Sequence, residues 1–133
     1  MLLIIGGSYA GKTAFARHLP GFAGAAFADG RSAGFEEIYN TRALLHFEDY
    51  VRRALREMGE PFLWTLPEEI IRKNPDLLLI GAEIGCGIVP LSQEERAYRE
   101  AYGRVMTGLA GKASRVYRVV AGIGTLIREE KES

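Results

Sequence analysis

The residue types with the clearest chemistry are Gly6-Gly7-Ser8-Tyr9-Ala10-Gly11-Lys12-Thr13, which fit the pattern G-x-x-x-x-G-K-[ST]. Glycines let a backbone turn tightly and approach a ligand with no Cβ in the way. The amides of such a loop form a concave nest for phosphate oxygens, and a following helix turns its positive end to the same place. Lys12 then supplies a mobile point charge for the β- and γ-phosphates. The Thr13 hydroxyl suits Mg²⁺, a hard cation that takes oxygen ligands and keeps several waters. All eight residues are therefore expected to bind ATP or GTP with Mg²⁺. The context agrees, because an apolar run, Leu2–Ile5, precedes the loop and a helix-like run, Ala14–Leu19, follows it.

Transfer chemistry at such a loop needs acidic help from neighbouring strands. Asp29 and Glu83 each follow an apolar stretch. Asp29, at the end of its strand, is expected to orient a Mg²⁺ water, and Glu83 to orient or deprotonate an acceptor hydroxyl. Lys12, Glu83 and Asp29 are thus the expected catalytic groups, with Thr13 and Asp29 on the metal side. Asp76 precedes a strand and reads as a cap. His18 and His46 are isolated and read as structural or exposed, Cys86 as a small apolar filler. Trp64 and the tyrosines read as core or rim.

These groups need elements to hold them. Residues 2–5 read as a buried parallel strand. A helix over 12–19 ends at Pro20-Gly21, and 22–27 reads as a second central strand ending at Asp29-Gly30. A helical turn is expected over 35–40. A longer helix is expected over about 42–58, with Leu44, Phe47, Val51, Leu55 and Met58 on one face and Gly59 and Pro61 stopping it. Phe62-Leu63-Trp64 reads as a loop patch and 67–73 as a small helix capped by Thr65. Leu77–Ile80 is the plainest strand. Ser92-Gln93-Glu94-Glu95 is a capping box that opens a helix to about 110, stopped by Gly111. Val116–Val120 and Thr125–Ile127 read as a strand and an antiparallel return.

Strands alternating with helices predict an α/β fold: a three-layer, mostly parallel sheet with helices on both faces and a C-terminal antiparallel strand. The loops at 6–13, 28–34, 81–91 and 121–124 then gather on the carboxyl edge of the sheet, where ligands bind in such folds.

One further stretch is specific. Glu83-Ile84-Gly85-Cys86-Gly87-Ile88-Val89-Pro90, together with the loop at 6–13 and the strand end Val119-Val120-Ala121-Gly122-Ile123, resembles the adenosylcobinamide kinase / adenosylcobinamide-phosphate guanylyltransferase family. That family carries E-[VI]-G-x-G-I-V-P after a strand, then a helix with F-R-D-x-x-G-R-x-N-Q. Here that helix reads Tyr98-Arg99-Glu100-Ala101-Tyr102-Gly103-Arg104-Val105-Met106-Thr107. The resemblance implies a P-loop NTPase-like fold and a cobinamide-like acceptor. It implies substrate-side roles for Gly85, Gly87, Arg99 and Arg104. The chain departs from the family in two places. Met106-Thr107 stand for Asn-Gln, and almost nothing separates Leu19 from Phe22, where the family holds a histidine that accepts the guanylyl group. A phosphotransferase without a guanylylated enzyme intermediate is therefore expected. A nucleotide-binding or regulatory module without turnover is the alternative.

At 133 residues, one domain over 1–128 with a charged tail at 129–133 is expected. Seventeen basic residues balance 17 acidic ones, so bulk charge gives no case for nucleic-acid or membrane partners and is compatible with self-association. A single cysteine and the lack of a signal-like or membrane-length apolar run point to a cytoplasmic protein.

Overall fold

A computed structural model describes residues 1–84 and 92–130. Six strands form one sheet in the order β2-β3-β4-β1-β5-β6. The strands are β1 (Leu2–Gly6), β2 (Phe27–Asp29), β3 (Ala43–Leu45), β4 (Leu78–Ala82), β5 (Arg115–Val120) and β6 (Ile123–Glu129). All neighbouring pairs are parallel except β5 and β6. The helices are α1 (Lys12–Arg17), α2 (Phe47–Glu57), α3 (Glu60–Lys73) and α4 (Gln93–Lys112), with a short 3-10 turn over Phe35–Tyr39. The α/β expectation holds, including the antiparallel strand at the C-terminal end.

The central strands β1 and β4 are apolar on both faces because helices cover both. Residue parity sorts their side chains. Leu3, Leu77 and Leu79 point to one core, and Ile4, Leu78 and Ile80 to the other. The first core is thick. There α2 contributes Phe47, Tyr50, Val51 and Ala54, spaced for a single helical face. Leu63, Leu66 and Ile70 of α3 and Tyr98, Ala101, Tyr102, Val105 and Leu109 of α4 complete it. Among the described residues the second core is thinner: α1 buries Ala16 there and the connection to β2 supplies Phe22, with Phe15, Leu19 and Ala25 packed against it.

Several elements differ from the sequence expectation. The segment 22–26 forms turns, and β2 is a three-residue edge strand rather than a central one. Its outward side lacks a sheet neighbour, so Phe22 is better used under α1 than in a ladder. The expected helix over 42–58 is a strand, β3, followed by a helix. Leu44 and Phe47 suit either reading, but Leu44 is needed beside Leu79 in the sheet. Pro61 starts α3 instead of stopping α2, since a first-turn proline gives up no helix hydrogen bond. The helix runs through Phe62-Leu63-Trp64 and Pro67 to Lys73, and the Pro67 ring packs against Gly108 of α4. Ser92 caps α4 as expected, its Oγ accepting from the Glu95 amide at 3.1 Å. Gly111 lies inside α4 rather than ending it. The β6 strand extends to Glu129, and the Glu130 amide bonds to the Ser114 carbonyl, past the expected domain edge at 128.

After β1 the chain departs towards β2 and β3; after β4 it departs through α4 to β5, on the other side of β1. Strand order thus reverses beside β1 and β4, where a crevice opens at the carboxyl ends.

Candidate functional site

The loop from Gly6 to Thr13 joins β1 to α1. Gly11 caps α1 at φ 86°, a left-handed conformation that a side chain resists. The Lys12 ammonium folds back over the loop, donating to the carbonyls of Gly6 at 3.0 Å and Gly7 at 2.8 Å. The Gly122 amide, in the turn between β5 and β6, donates to the Ala10 carbonyl at 2.7 Å and braces the loop from the other side.

A groove of about 470 Å³ opens against this loop. Ser8 to Ala14 line one side, and Arg31, His46 and Glu48 line it from the β2 and β3 ends. The strand residues Leu45, Ile80 and Ala82 complete its lining. The loop residues predicted to bind nucleotide are therefore gathered at the reversal of strand order, with Lys12 and Thr13 in the groove.

Two expected catalytic carboxylates are held elsewhere. Asp29 does end β2, but β2 lies beyond β3 and β4 from the loop strand. Its carboxylate accepts from the Arg31 amide at 2.9 Å and from Arg31 Nε and Nη2 at 3.0 and 2.8 Å. It also meets His46 Nδ1 at 3.0 Å. The Arg31 guanidinium, with His46, holds the Asp29 carboxyl well below the usual carboxylate range. Both Asp29 oxygens are thus engaged by Arg31 and His46. Glu83 sits beyond β4, its amide bonded to the Gly6 carbonyl at 2.9 Å. Its side chain pairs with Arg118 of β5 at 3.1 Å and is not among the described residues that line the groove. The apolar β4 strand is central as expected, but side chains alternate along it: Ala82 faces the groove and Glu83 turns to the other side.

The two helix arginines also serve other contacts. Arg99 lies 3.6 Å from Glu95, which takes Arg52 at 2.8 Å. Arg104 stacks 3.9 Å above the Trp64 ring, in a cleft between α3 and α4. Arg104 is not among the described residues that line the loop groove. Gly85, Gly87 and Cys86 lie outside the described residues.

Sequence reasoning missed Arg31, His46 and Glu48. His18 is on exposed α1 surface, its Nδ1 2.8 Å from the Ala14 carbonyl, as expected of a structural histidine. His46 is different. It stands between β3 and α2 with φ 53° and ψ 48°, a left-handed conformation uncommon outside glycine and in which histidine is enriched. Glu48, in the first turn of α2, accepts from the Ala82 amide at 3.2 Å and so ties α2 to the end of β4. The signal was in Ala43-Leu44-Leu45 followed by His46 and Glu48-Asp49. Read as strand, junction and acidic helix start, it places His46 on the ligand edge.

For a magnesium ion, the loop offers the Thr13 hydroxyl in the groove. Among the described residues there is no group of three or more His, Cys, Asp or Glu able to hold a metal. Such a donor set fits an ion brought in on phosphate oxygens rather than one held in a protein cage.

Among the described residues no helix is long and apolar enough to cross a membrane. A family model described as cobinamide kinase / cobinamide phosphate guanyltransferase matches residues 42–127. The bifunctional adenosylcobalamin biosynthesis protein of Escherichia coli K12 is 44% identical over 52 residues, 39% of this chain and 29% of that protein. Its counterpart in Salmonella typhimurium LT2 is 42% identical over 52 residues, with the same coverage. The aligned part of the chain thus spans 29% of the length of each relative. The family match takes in β3 through β6, well over half of the molecule, and the chain belongs to the cobinamide kinase / cobinamide phosphate guanyltransferase family.

Proposed function

We propose that this protein binds Mg-ATP or Mg-GTP in the groove at Gly6–Thr13 and transfers the terminal phosphoryl group to a cobinamide-like hydroxyl. The observation that carries this reading is the braced loop. Lys12 is folded onto its carbonyls, and Thr13 opens into a groove at the point where strand order reverses. Phosphoryl transfer depends on positioning and charge neutralisation, which a lysine, loop amides and a phosphate-bound Mg²⁺ supply. Mg²⁺ would draw charge from the transferring group. Lys12 would leave its carbonyl partners for phosphate oxygens, and Thr13 would hold the metal.

A second reading, a nucleotide-binding module without turnover, is favoured by the engagement of Asp29 with Arg31 and of Glu83 with Arg118. The two separate in one assay. The protein is incubated with Mg-ATP or Mg-GTP, with and without cobinamide, and phosphorylated product is measured. Product that depends on cobinamide supports the transferase; nucleotide binding with no product supports the module.

A further inference from the structure

The Asp29–His46 pair has a form that neither the fold nor the loop requires. His46 holds a left-handed backbone at the carboxyl end of β3. Gly30 lies so close to the His46 carbonyl that any side chain there would strike it. The Gly30 amide bonds to the Leu45 carbonyl at 2.7 Å, drawing the ends of β2 and β3 together. Asp29 is fixed in turn by the two-pronged contact from Arg31. These constraints place a carboxylate 3.0 Å from His46 Nδ1, on a ring that lines the groove facing the Gly6–Thr13 loop.

The chemistry of the pair follows from the carboxylate. Asp29 is kept ionised by Arg31, and an ionised carboxylate only accepts hydrogen bonds. The proton between the two groups therefore resides on Nδ1, which leaves Nε2 of the neutral ring with its lone pair. Among the described residues Nε2 has no hydrogen-bond partner. The other charged groups lining the groove are Lys12, Arg31 and Glu48, and Glu48 Oε2 accepts from the Ala82 amide at 3.2 Å. Of the basic groups lining the groove, His46 has a carboxylate held against its far nitrogen, which raises the basicity of the Nε2 lone pair.

We propose that His46 is the general base of the transfer and that Asp29 is its positioning residue. This rests on the phosphotransferase reading above. The acceptor oxygen forms a bond to the terminal phosphorus as the bond from that phosphorus to the bridging oxygen breaks, releasing the nucleoside diphosphate. The acceptor proton passes to His46 Nε2, and the imidazolium is stabilised through its Nδ1–H by Asp29 before the proton is lost to water. Orientation by a carboxylate is how a histidine base is held in the right tautomer.

The test uses the full chain with Mg-ATP or Mg-GTP and cobinamide, and follows turnover, nucleotide affinity and imidazole nitrogen shifts. His46→Gln is expected to lower kcat about 10²–10⁴-fold, the range for a positioned base, with nucleotide affinity little changed. Asp29→Asn is expected to lower kcat with KM for the acceptor little changed. Long-range ¹H–¹⁵N spectra of the wild-type neutral ring should show the proton on Nδ1, and Asp29→Asn should shift that tautomer. Wild-type kcat in a folded His46→Gln overturns the proposal while the phosphotransferase reading stands. A neutral wild-type ring protonated on Nε2 overturns it too, and needs no variant to fold. A wild-type protein that binds nucleotide but phosphorylates nothing overturns the phosphotransferase reading itself, and the base assignment with it.

Discussion

The two faces of the sheet are built to different standards. On one, three helices and a 3-10 turn bury Leu3, Leu44, Leu77 and Leu79 under two layers of aromatic and aliphatic side chains. Phe47 stacks on Tyr50 there and lies tilted against Tyr102, which is tilted in turn against Tyr98, and burial pushes the phenols of Tyr50, Tyr98 and Tyr102 far above the ordinary tyrosine range, so they act as neutral donors. On the other face a six-residue helix and the connection through Phe22 cover the sheet, and a groove opens at the carboxyl ends of the strands. The thick face carries the cooperative burial that orders the strands, and the thin face leaves strand ends accessible to a ligand. Glu48, Tyr98 and Tyr102 connect the two. Tyr102 Oη donates to the Ala82 carbonyl at 2.7 Å, Tyr98 Oη to the Glu48 carbonyl at 3.0 Å, and Ala82 and Glu48 both line the groove.

The strongest way to sharpen this contrast is a cavity in the thick core. Leu79→Ala is expected to destabilise folding by about 2–5 kcal/mol, the range for a buried leucine. Nucleotide affinity per folded molecule should be nearly unchanged. Denaturant melts with calorimetry check both, and a proportionate loss of affinity would break the separation between faces. Tyr102→Phe is a smaller probe of the connection. It removes the bond to the Ala82 carbonyl, and a cost of about 1–3 kcal/mol is expected if that carbonyl is left dry. Because Ala82 lines the groove, this variant should also weaken nucleotide binding, which a comparison of melting midpoint with affinity will show.

The smallest effect is in acid. The Asp29 carboxyl titrates below its ordinary value of 3.8 in the folded chain, held down first by Arg31. An unfolded chain then takes up the proton before the folded one does. The stability from this group is full above that ordinary value and is lost as pH falls through the folded one. Wild type should therefore lose stability below about pH 4 more steeply than Asp29→Asn, in urea melts at successive pH values. Equal slopes would mean that the Asp29, Arg31 and His46 contacts add nothing to folding.

The thick face and the loop were the legible parts. Leu2–Ile5 and Leu77–Ile80 are unbroken apolar runs, and the capping box at Ser92 names the start of α4. What sequence hid was the region between, from Phe22 to Pro61. A three-residue strand such as β3 is too short to show a period of two, and Leu44, Phe47 and Val51 fall on a helical period by coincidence with the next helix. The Pro61 signal has two opposite meanings, a stop and a first turn, and only the packing of α3 against α4 decides between them. Of the site, the place of the loop between β1 and α1 was legible, because glycines between an apolar run and a helical run mark such a turn. The place of His46 in the groove was not, because a lone histidine shows nothing until β2 and β3 are paired and Asp29 stands beside it. Asp29 stands at a strand end as expected, but the sequence did not show Arg31 turning back onto it.

The central claim is that the loop of the thin face binds a nucleoside triphosphate. Titration calorimetry of Mg-ATP and Mg-GTP against wild type and Lys12→Ala tests it most directly, with melting curves to confirm that the variant is folded. The account predicts saturable one-site binding to wild type by at least one of the two nucleotides. It predicts a loss of about 1.5–3 kcal/mol of binding free energy in Lys12→Ala, the worth of a charge-assisted contact. Equal affinity in a folded Lys12→Ala, or no binding to wild type, would contradict it.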